Sequence, residues 1–243
     1  PIEAVEDIFK QLKSACDELN VTIIGGHTEF VADLVRPIVT GIMLGEVQKG
    51  QEVKTSAAQN NDSILLTKAI PIEGCTILAS EASDKLLESG INRDVLEAGK
   101  MLLENPGISV VKESRIAVST GKVNAMHDPT EGGLSGGLAE LAKASELGLE
   151  ITLDDIPVIP YARQICEVLQ LNPLGVIASG SLLITVSSTD EEIVINSLTD
   201  KGIKVSKIGV MKPKEYGLKM MVGMQKVDLP LFDRDEITRY LDA

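Results

Sequence analysis

The spacing of apolar and polar residues divides the chain into helices and strands. Ile2, Val5, Ile8, Phe9, Leu12 and Ala15 recur at helical intervals and predict a helix over residues 2–18. Val21-Thr22-Ile23-Ile24 and Pro37–Gly45 are short apolar runs that predict two buried strands, with a loop over Phe30–Arg36 between them. Gln48–Asp62 is polar and aperiodic. Ser63–Ala69 predicts a strand, Pro71-Ile72-Glu73-Gly74 a turn, and Ile77–Ser89 and Asn92–Glu104 two helices broken by Gly90. A short helix over Val110–Thr120 and a strand over Lys122–Met126 follow. Beyond them Leu134, Leu138, Leu141, Ala142 and Ser145 mark one face of a buried helix. The remainder predicts strands at Leu149–Leu153, within Ala178–Val186, at Lys204–Val210 and at Leu218–Val222. Helices are predicted at Pro160–Leu169, Thr189–Leu198 and Asp233–Leu241. The chain shows no internal repeat, and the alternation places it in the α/β or α+β class.

The stretch His127-Asp128-Pro129-Thr130-Glu131-Gly132-Gly133-Leu134 stands at the centre of this pattern. Pro129 holds Asp128 extended, and Asp128 or Thr130 is expected to cap the helix that follows. Gly132, Gly133, Gly136 and Gly137 all fall within its first two turns. Each costs about 1 kcal/mol relative to Ala in a helix interior, roughly 4 kcal/mol together. Glycine is used where another backbone or a ligand must approach closely. Tight packing on a sheet accounts for the pattern, alone or together with an anion site at the helix N-terminus. The spacing matches neither the Walker-type loop nor the dinucleotide fingerprint.

Gly25-Gly26-His27-Thr28-Glu29 is a second candidate, where a predicted strand runs into two glycines. Thr28 and Glu29 offer hard oxygens suited to Mg²⁺, and His27 can hydrogen-bond a phosphate or a ribose. A turn with solvated polar residues is the alternative. Both histidines thus lie beside a Gly-Gly pair and a Thr-Glu dipeptide. Asp154-Asp155 reads as a solvated acidic turn.

Composition narrows the function classes. Of 243 residues 44% are hydrophobic but only 2% aromatic, with no Trp, so the core must be built from Leu, Ile, Val and Ala. A net charge of −13 argues against nucleic-acid binding, which needs a basic face. No apolar run reaches membrane-spanning length. Cys16, Cys75 and Cys166 form no CxxC and are expected to be reduced, buried thiols in a cytoplasmic protein. The start at Pro1, directly before a helix, suggests a fragment.

These motifs, in this order, resemble the AIR synthase (PurM-like) superfamily, which includes hydrogenase expression/formation proteins of the HypE type, selenophosphate synthetase and thiamine-monophosphate kinase. The similar stretches are VTIIGGHTE (21–29) with RPIVTGIMLG (36–45), DSILLTKAIPIEGCTILA (62–79), HDPTEGGLSGGL (127–138), NPLGVIASGSLLI (172–184) and SKIGVM (206–211). The resemblance implies a two-domain PurM-like architecture with mixed sheets and helices packed on one face. A partial N-terminal ATP-binding and dimerisation domain is expected over 1–47, a linker over 48–62 and a C-terminal domain over 63–243. It implies ATP and Mg²⁺ as cofactors, a homodimer, and phosphorylation of a carbonyl- or amide-type oxygen in a small substrate by ligase, dehydratase or kinase-like chemistry. Carried over, Gly25, Gly26, His27, Thr28 and Glu29 match the N-domain nucleotide and metal stretch. Asp128, Thr130, Gly132 and Gly133 match the C-domain phosphate-facing stretch. Glu29 and Asp128 are the expected metal-binding acids, catalytic together with His27, and Gly132 and Gly133 the expected backbone donors.

Three departures bear on this. The family's early N-terminal segment, with further metal-binding aspartates, is absent. The chain ends Arg239-Tyr240-Leu241-Asp242-Ala243, without the terminal Cys that carries the carboxamide in the HypE type. Glu131 stands where that branch often has Arg. The alternative is therefore a non-catalytic nucleotide-binding partner in maturation or regulation, such as hydrogenase maturation.

Overall fold

The computed structural model describes residues 2–241; Pro1, Asp242 and Ala243, where the expected domains begin and end, lie outside the described residues. The chain forms two units, one up to Gln51 and one from Glu52 on.

In the first unit helix α1 spans Ile2–Leu19, as the apolar spacing requires. It stops at Asn20, whose left-handed φ of 57° suits a helix terminus. The two strands expected at Val21–Ile24 and Pro37–Gly45 do not form. A strand exists only through a hydrogen-bonded neighbour, and no ladder engages these segments among the described residues. None of the described residues up to Gln51 is buried, and Ile24 and Ile42 are 83% and 89% exposed.

The second unit is built on strands β1 (Asp62–Thr67), β2 (Val123–His127), β3 (Gly148–Thr152), β4 (Leu183–Ser187), β5 (Val205–Lys212), β6 (Leu218–Val222) and β7 (Gln225–Asp228). They form one sheet in the order β2-β4-β1-β5-β3-β6-β7, antiparallel throughout except for the parallel pair β3–β6. β1 is buried along its whole length. Its alternate residues enter different cores, Ile64 and Leu66 on one side and Leu65 on the other, as the period of two dictates.

The helices of this unit are α2 (Ile72–Glu81), α3 (Ser83–Glu88), α4 (Arg93–Lys100), α5 (Val111–Ser119), α6 (Gly133–Ala144), α7 (Pro160–Leu169), α8 (Glu191–Thr199) and the single turn α9 (Thr238–Leu241). The expectation of helices on one face describes α5 and α8, whose Ala117, Val194 and Leu198 pack with Leu65. Leu134, Leu138, Leu141 and Ala142 of α6 add a layer with Ile64 and Leu66. Helices α2, α4 and α7 share a third cluster around Leu78, Leu96 and Ile165. After β1, Lys68 adopts a φ of 57° and its buried ammonium meets Glu113 at 2.8 Å and the carbonyls of Gly107 and Ser109 at 2.9 and 2.8 Å. That ion pair ties the α4–α5 connection to the end of β1.

Two further expectations change. The turn at Pro71–Gly74 is the opening of α2. Gly74 is there because a Cβ would stand 2.2 Å from the Val176 side chain, so it marks a close approach and not a turn. The break expected at Gly90 falls between α3 and α4, where φ is 88°, but a further break at Ala82 divides the helix expected over Ile77–Ser89. Strand β7 was not expected; it is exposed at every position, so it carries no apolar alternation to read.

The glycines of α6 pack against protein backbone. At Gly133, φ is +66° and a Cβ would lie 2.5 Å from the Leu174 carbonyl oxygen and 2.8 Å from that of Val176. At Gly137 it would strike Pro129, 2.6 Å away. Gly133→Ala is therefore expected to lower unfolding stability by about 3 kcal/mol or more in urea titrations, through steric overlap as well as left-handed strain. Gly121→Ala, at φ +67° with nothing within 4 Å of the new methyl, is expected to cost only about 1–2 kcal/mol.

Cys75 and Cys166 are buried, and burial pushes both thiols up to about 12. The neighbouring Cys166 thiol adds to the shift at Cys75, and Glu236 and Glu167 add to that at Cys166. The unfolded chain releases these protons near pH 9.0, so stability present below that pH is expected to fall as pH rises from there toward about 12. In native protein at neutral pH an alkylating reagent should label Cys16 first, with Cys75 and Cys166 following only at the rate of unfolding.

Candidate functional site

β2 ends at His127, and the chain turns through Asp128–Gly132 into α6. The turn carries Asp128 into solvent, with its side chain 65% exposed, while His127 stays 19% exposed. Its Nε2 lies 2.8 Å from Oε2 of Glu140 on α6, and its Nδ1 lies 3.9 Å from Oδ1 of Asp128. The structure thus gathers His127, Asp128 and Glu140 at one corner of the sheet. Thr130 is half-buried, and its carbonyl accepts from the N–H groups of Gly133 at 3.0 Å and Ala178 at 3.2 Å.

The start of α6 differs from the expected side-chain cap. Gly132 occupies the cap position at a φ of 76°, and neither Asp128 nor Thr130 caps the helix. The acid that reaches this end comes from 103 residues downstream. Gly132 donates its N–H to Oδ2 of Asp235 at 2.8 Å, and Oδ1 of Asp235 accepts from Ile177 at 3.2 Å and Ile237 at 3.0 Å. Asp235 is only 9% exposed, so its charge sits at the positive end of the helix with three backbone donors around it. Beside it Glu236 accepts from the Asn172 N–H at 2.8 Å and pairs with Arg239 at 2.8 Å. The two acids lace the loop 172–177 to the first turn of α6.

Both glycine N–H groups expected to face phosphate thus have protein acceptors, Asp235 for Gly132 and the Thr130 carbonyl for Gly133. Below them the Ser135 hydroxyl is buried with no hydrogen-bond partner among the described residues. Asp128 supplies an exposed hard oxygen that suits Mg²⁺. Among the described residues, however, no group of three or more His, Cys, Asp or Glu is placed to hold a metal. An ion at Asp128 would take its other ligands from phosphate oxygens and water, as Mg²⁺ commonly does.

The other expected site residues belong to the first unit. His27 and Glu29 are 85% and 71% exposed, with Nε2 and Oε2 3.9 Å apart, and Thr28 is exposed between them. A Cβ on Gly25 or Gly26 would meet nothing within 4 Å. Two residues at the α6 corner escaped the sequence reading. Glu140 sits on the exposed face of α6, and only the packing of α6 against β2 brings it to His127. Asp235 gives locally only its turn onto Ile237, and its partners at the start of α6 and in the loop lie 103 and 58 residues away.

Residues 59–220 match the model of the AIR synthase related protein, C-terminal domain, and residues 1–47 that of the AIR synthase related protein, N-terminal domain. The chain is 29% identical over 237 residues to a putative hydrogenase expression/formation protein of Methanocaldococcus jannaschii, covering 96% of this chain and 67% of that protein. It is 26% identical over 202 residues to the carbamoyl dehydratase HypE of Rhizobium leguminosarum, covering 82% and 54%. The crystal structure of the hydrogenase maturation protein HypE in complex with ATP superposes with a TM-score of 0.57 at 21% identity, over 79% of this chain and 57% of that one. The chain thus spans about half the length of both HypE proteins.

Removal of the carboxylate in Asp235→Ala leaves the Gly132, Ile177 and Ile237 donors without their acceptor. A stability loss of about 3 kcal/mol is expected in urea titration. Asp235→Asn, which keeps one acceptor oxygen, should lose about half as much.

Proposed function

The chain belongs to the AIR synthase related protein family, and from that premise we propose that it binds Mg-ATP and uses it to phosphorylate a carbonyl- or amide-type oxygen of a small substrate. The observation that carries this reading is the exposed Asp128 carboxylate beside the glycine-built first turn of α6, within the matched region. Phosphoryl transfer needs positioning and charge neutralisation more than a protein nucleophile. Asp128 would hold Mg²⁺ against the phosphates, and the ion would screen Asp128 and Glu131 from their negative charge. Thr130 and the Gly132–Gly133 turn would line the phosphate side, with Gly132 exchanging Asp235 for a phosphate oxygen. In the first unit, Gly25, Gly26, His27, Thr28 and Glu29 are proposed as a nucleotide and metal stretch in their own right, with Glu29 as a metal-binding acid. When bound, ATP supplies the phosphoryl group that turns a poor oxygen leaving group into a good one.

Kinship with carbamoyl dehydratase HypE supports a carboxamide as substrate, and the ATP complex of a HypE structure supports ATP as the nucleotide. A homodimer, a maturation partner protein and a cytoplasmic location are part of the same proposal. No helix among the described residues is long and apolar enough to cross a membrane. A second reading is nucleotide binding without turnover.

Calorimetric titration of the full-length protein with Mg-ATP is expected to show binding that Asp128→Ala weakens by about tenfold or more. Unchanged affinity in that variant would sink the site assignment. Sustained ADP release stimulated by a carboxamide substrate is expected from the enzyme, whereas binding without release selects the second reading.

A further inference from the structure

A cavity of about 380 Å³ opens between the 3₁₀ turn after β3, the first turn of α7 and the loop at Asn172–Leu174, the same loop that meets the start of α6. Its floor is apolar, formed by the buried Ile156, Leu174 and Met220. Three polar side chains stand over that floor: Arg163, Asp154 and Asn172. The guanidinium of Arg163 has no hydrogen-bond or ion-pair partner among the described residues, and neither has the carboxylate of Asp154. The two line one cavity yet form no ion pair with each other. Asn172 uses its side-chain oxygen on the Leu174 N–H at 3.0 Å, which fixes the orientation of its amide and leaves the NH₂ to donate.

Arg163 is not explained by the fold. It lies in the first turn of α7, where the helix dipole disfavours a cation. It also borders apolar surface, and among the described residues no acid is within ion-pair distance of it. A size of about 380 Å³ is that of a small-molecule pocket, in which a few polar groups orient a ligand over an apolar lining.

We propose that this cavity binds a free apolar α-amino acid, its carboxylate held by Arg163 and Asn172, its ammonium by Asp154, and its side chain laid on Ile156, Leu174 and Met220. A phosphate or dicarboxylate would set a second negative charge against Asp154, and a neutral hydrocarbon would engage neither charged group. An occupant with both charges satisfies both walls. Arginine matches a carboxylate bidentately, which fixes the end that enters first. The cavity shares the loop at Asn172–Leu174 with the start of α6, but none of its lining residues is among those proposed for the nucleotide.

The test is calorimetry on the full chain with L-leucine, L-methionine and L-phenylalanine, and with the N-acetyl and methyl-ester derivatives of L-leucine. At least one free amino acid is expected to bind. Both blocked derivatives should bind about tenfold or more weakly. Arg163→Ala and Asp154→Asn, both at exposed positions and expected to leave the melting temperature unchanged, should each weaken binding to a similar extent. The proposal is overturned if none of the three binds more tightly than about 10 mM. It is also overturned if N-acetyl-leucine binds as well as leucine, or if neither variant changes the affinity.

Discussion

The contact between the bare backbone of Gly133 and the carbonyls of Leu174 and Val176 governs the second unit. No side chain fits between them. The contact lets the α6 N–H of Ser135 donate to the Leu174 carbonyl at 3.0 Å, so the helix and the loop share a hydrogen bond as well as a surface. Asp235 and Glu236 then fasten the same junction from outside, one carboxylate on α6 and Ile177, the other on Asn172. A single close approach thus fixes the direction of α6, the path of the loop and the placement of the last helical turn. The corner presenting His127 and Asp128 inherits its rigidity from that junction.

Charge at this corner is arranged in two tiers. Asp235 is inside, held by three N–H donors, and neutralises the helix end. Asp128, Glu131 and Glu140 are outside and exposed, with His127 between Asp128 and Glu140. The inner acid serves the fold, and the outer acids remain available to a cation. An anionic ligand approaching this surface meets net negative charge, which makes a divalent metal the natural intermediary. The same separation applies at the cavity beside α7, where Arg163 and Asp154 have no ion-pair partner among the described residues while Leu174, Ile156 and Met220 belong to the main core.

The elements with strong periodicity were legible in the sequence. Leu134, Leu138, Leu141 and Ala142 of α6 are all buried as their spacing demands, and α7 and β6 span the residues that their patterns mark. The central glycines were legible as a signal of close approach, and the motif order pointed to the AIR synthase superfamily that the family model matches. Short apolar runs misled where pairing decides the outcome. Val21–Ile24 and Pro37–Gly45 read as strands, yet they have no ladder among the described residues. Gly74 read as a turn because a glycine that clears room for Val176 has the same letter as one that reverses the chain.

By itself, then, the sequence determined the periodic helices, the apolar core strands, the acidic surface and the position of the bare stretch at Gly132–Gly137, because each is set by local period or composition. Only the tertiary structure decided what meets that stretch: Leu174 and Val176 beneath it, Pro129 at its flank, and Asp235 across its end. It likewise decided that His127 is answered by Glu140, and that Arg163 and Asp154 share a cavity without touching. These residues lie from eight to about a hundred positions apart. The energy of their interactions depends on distance in space, and the linear pattern does not contain that distance.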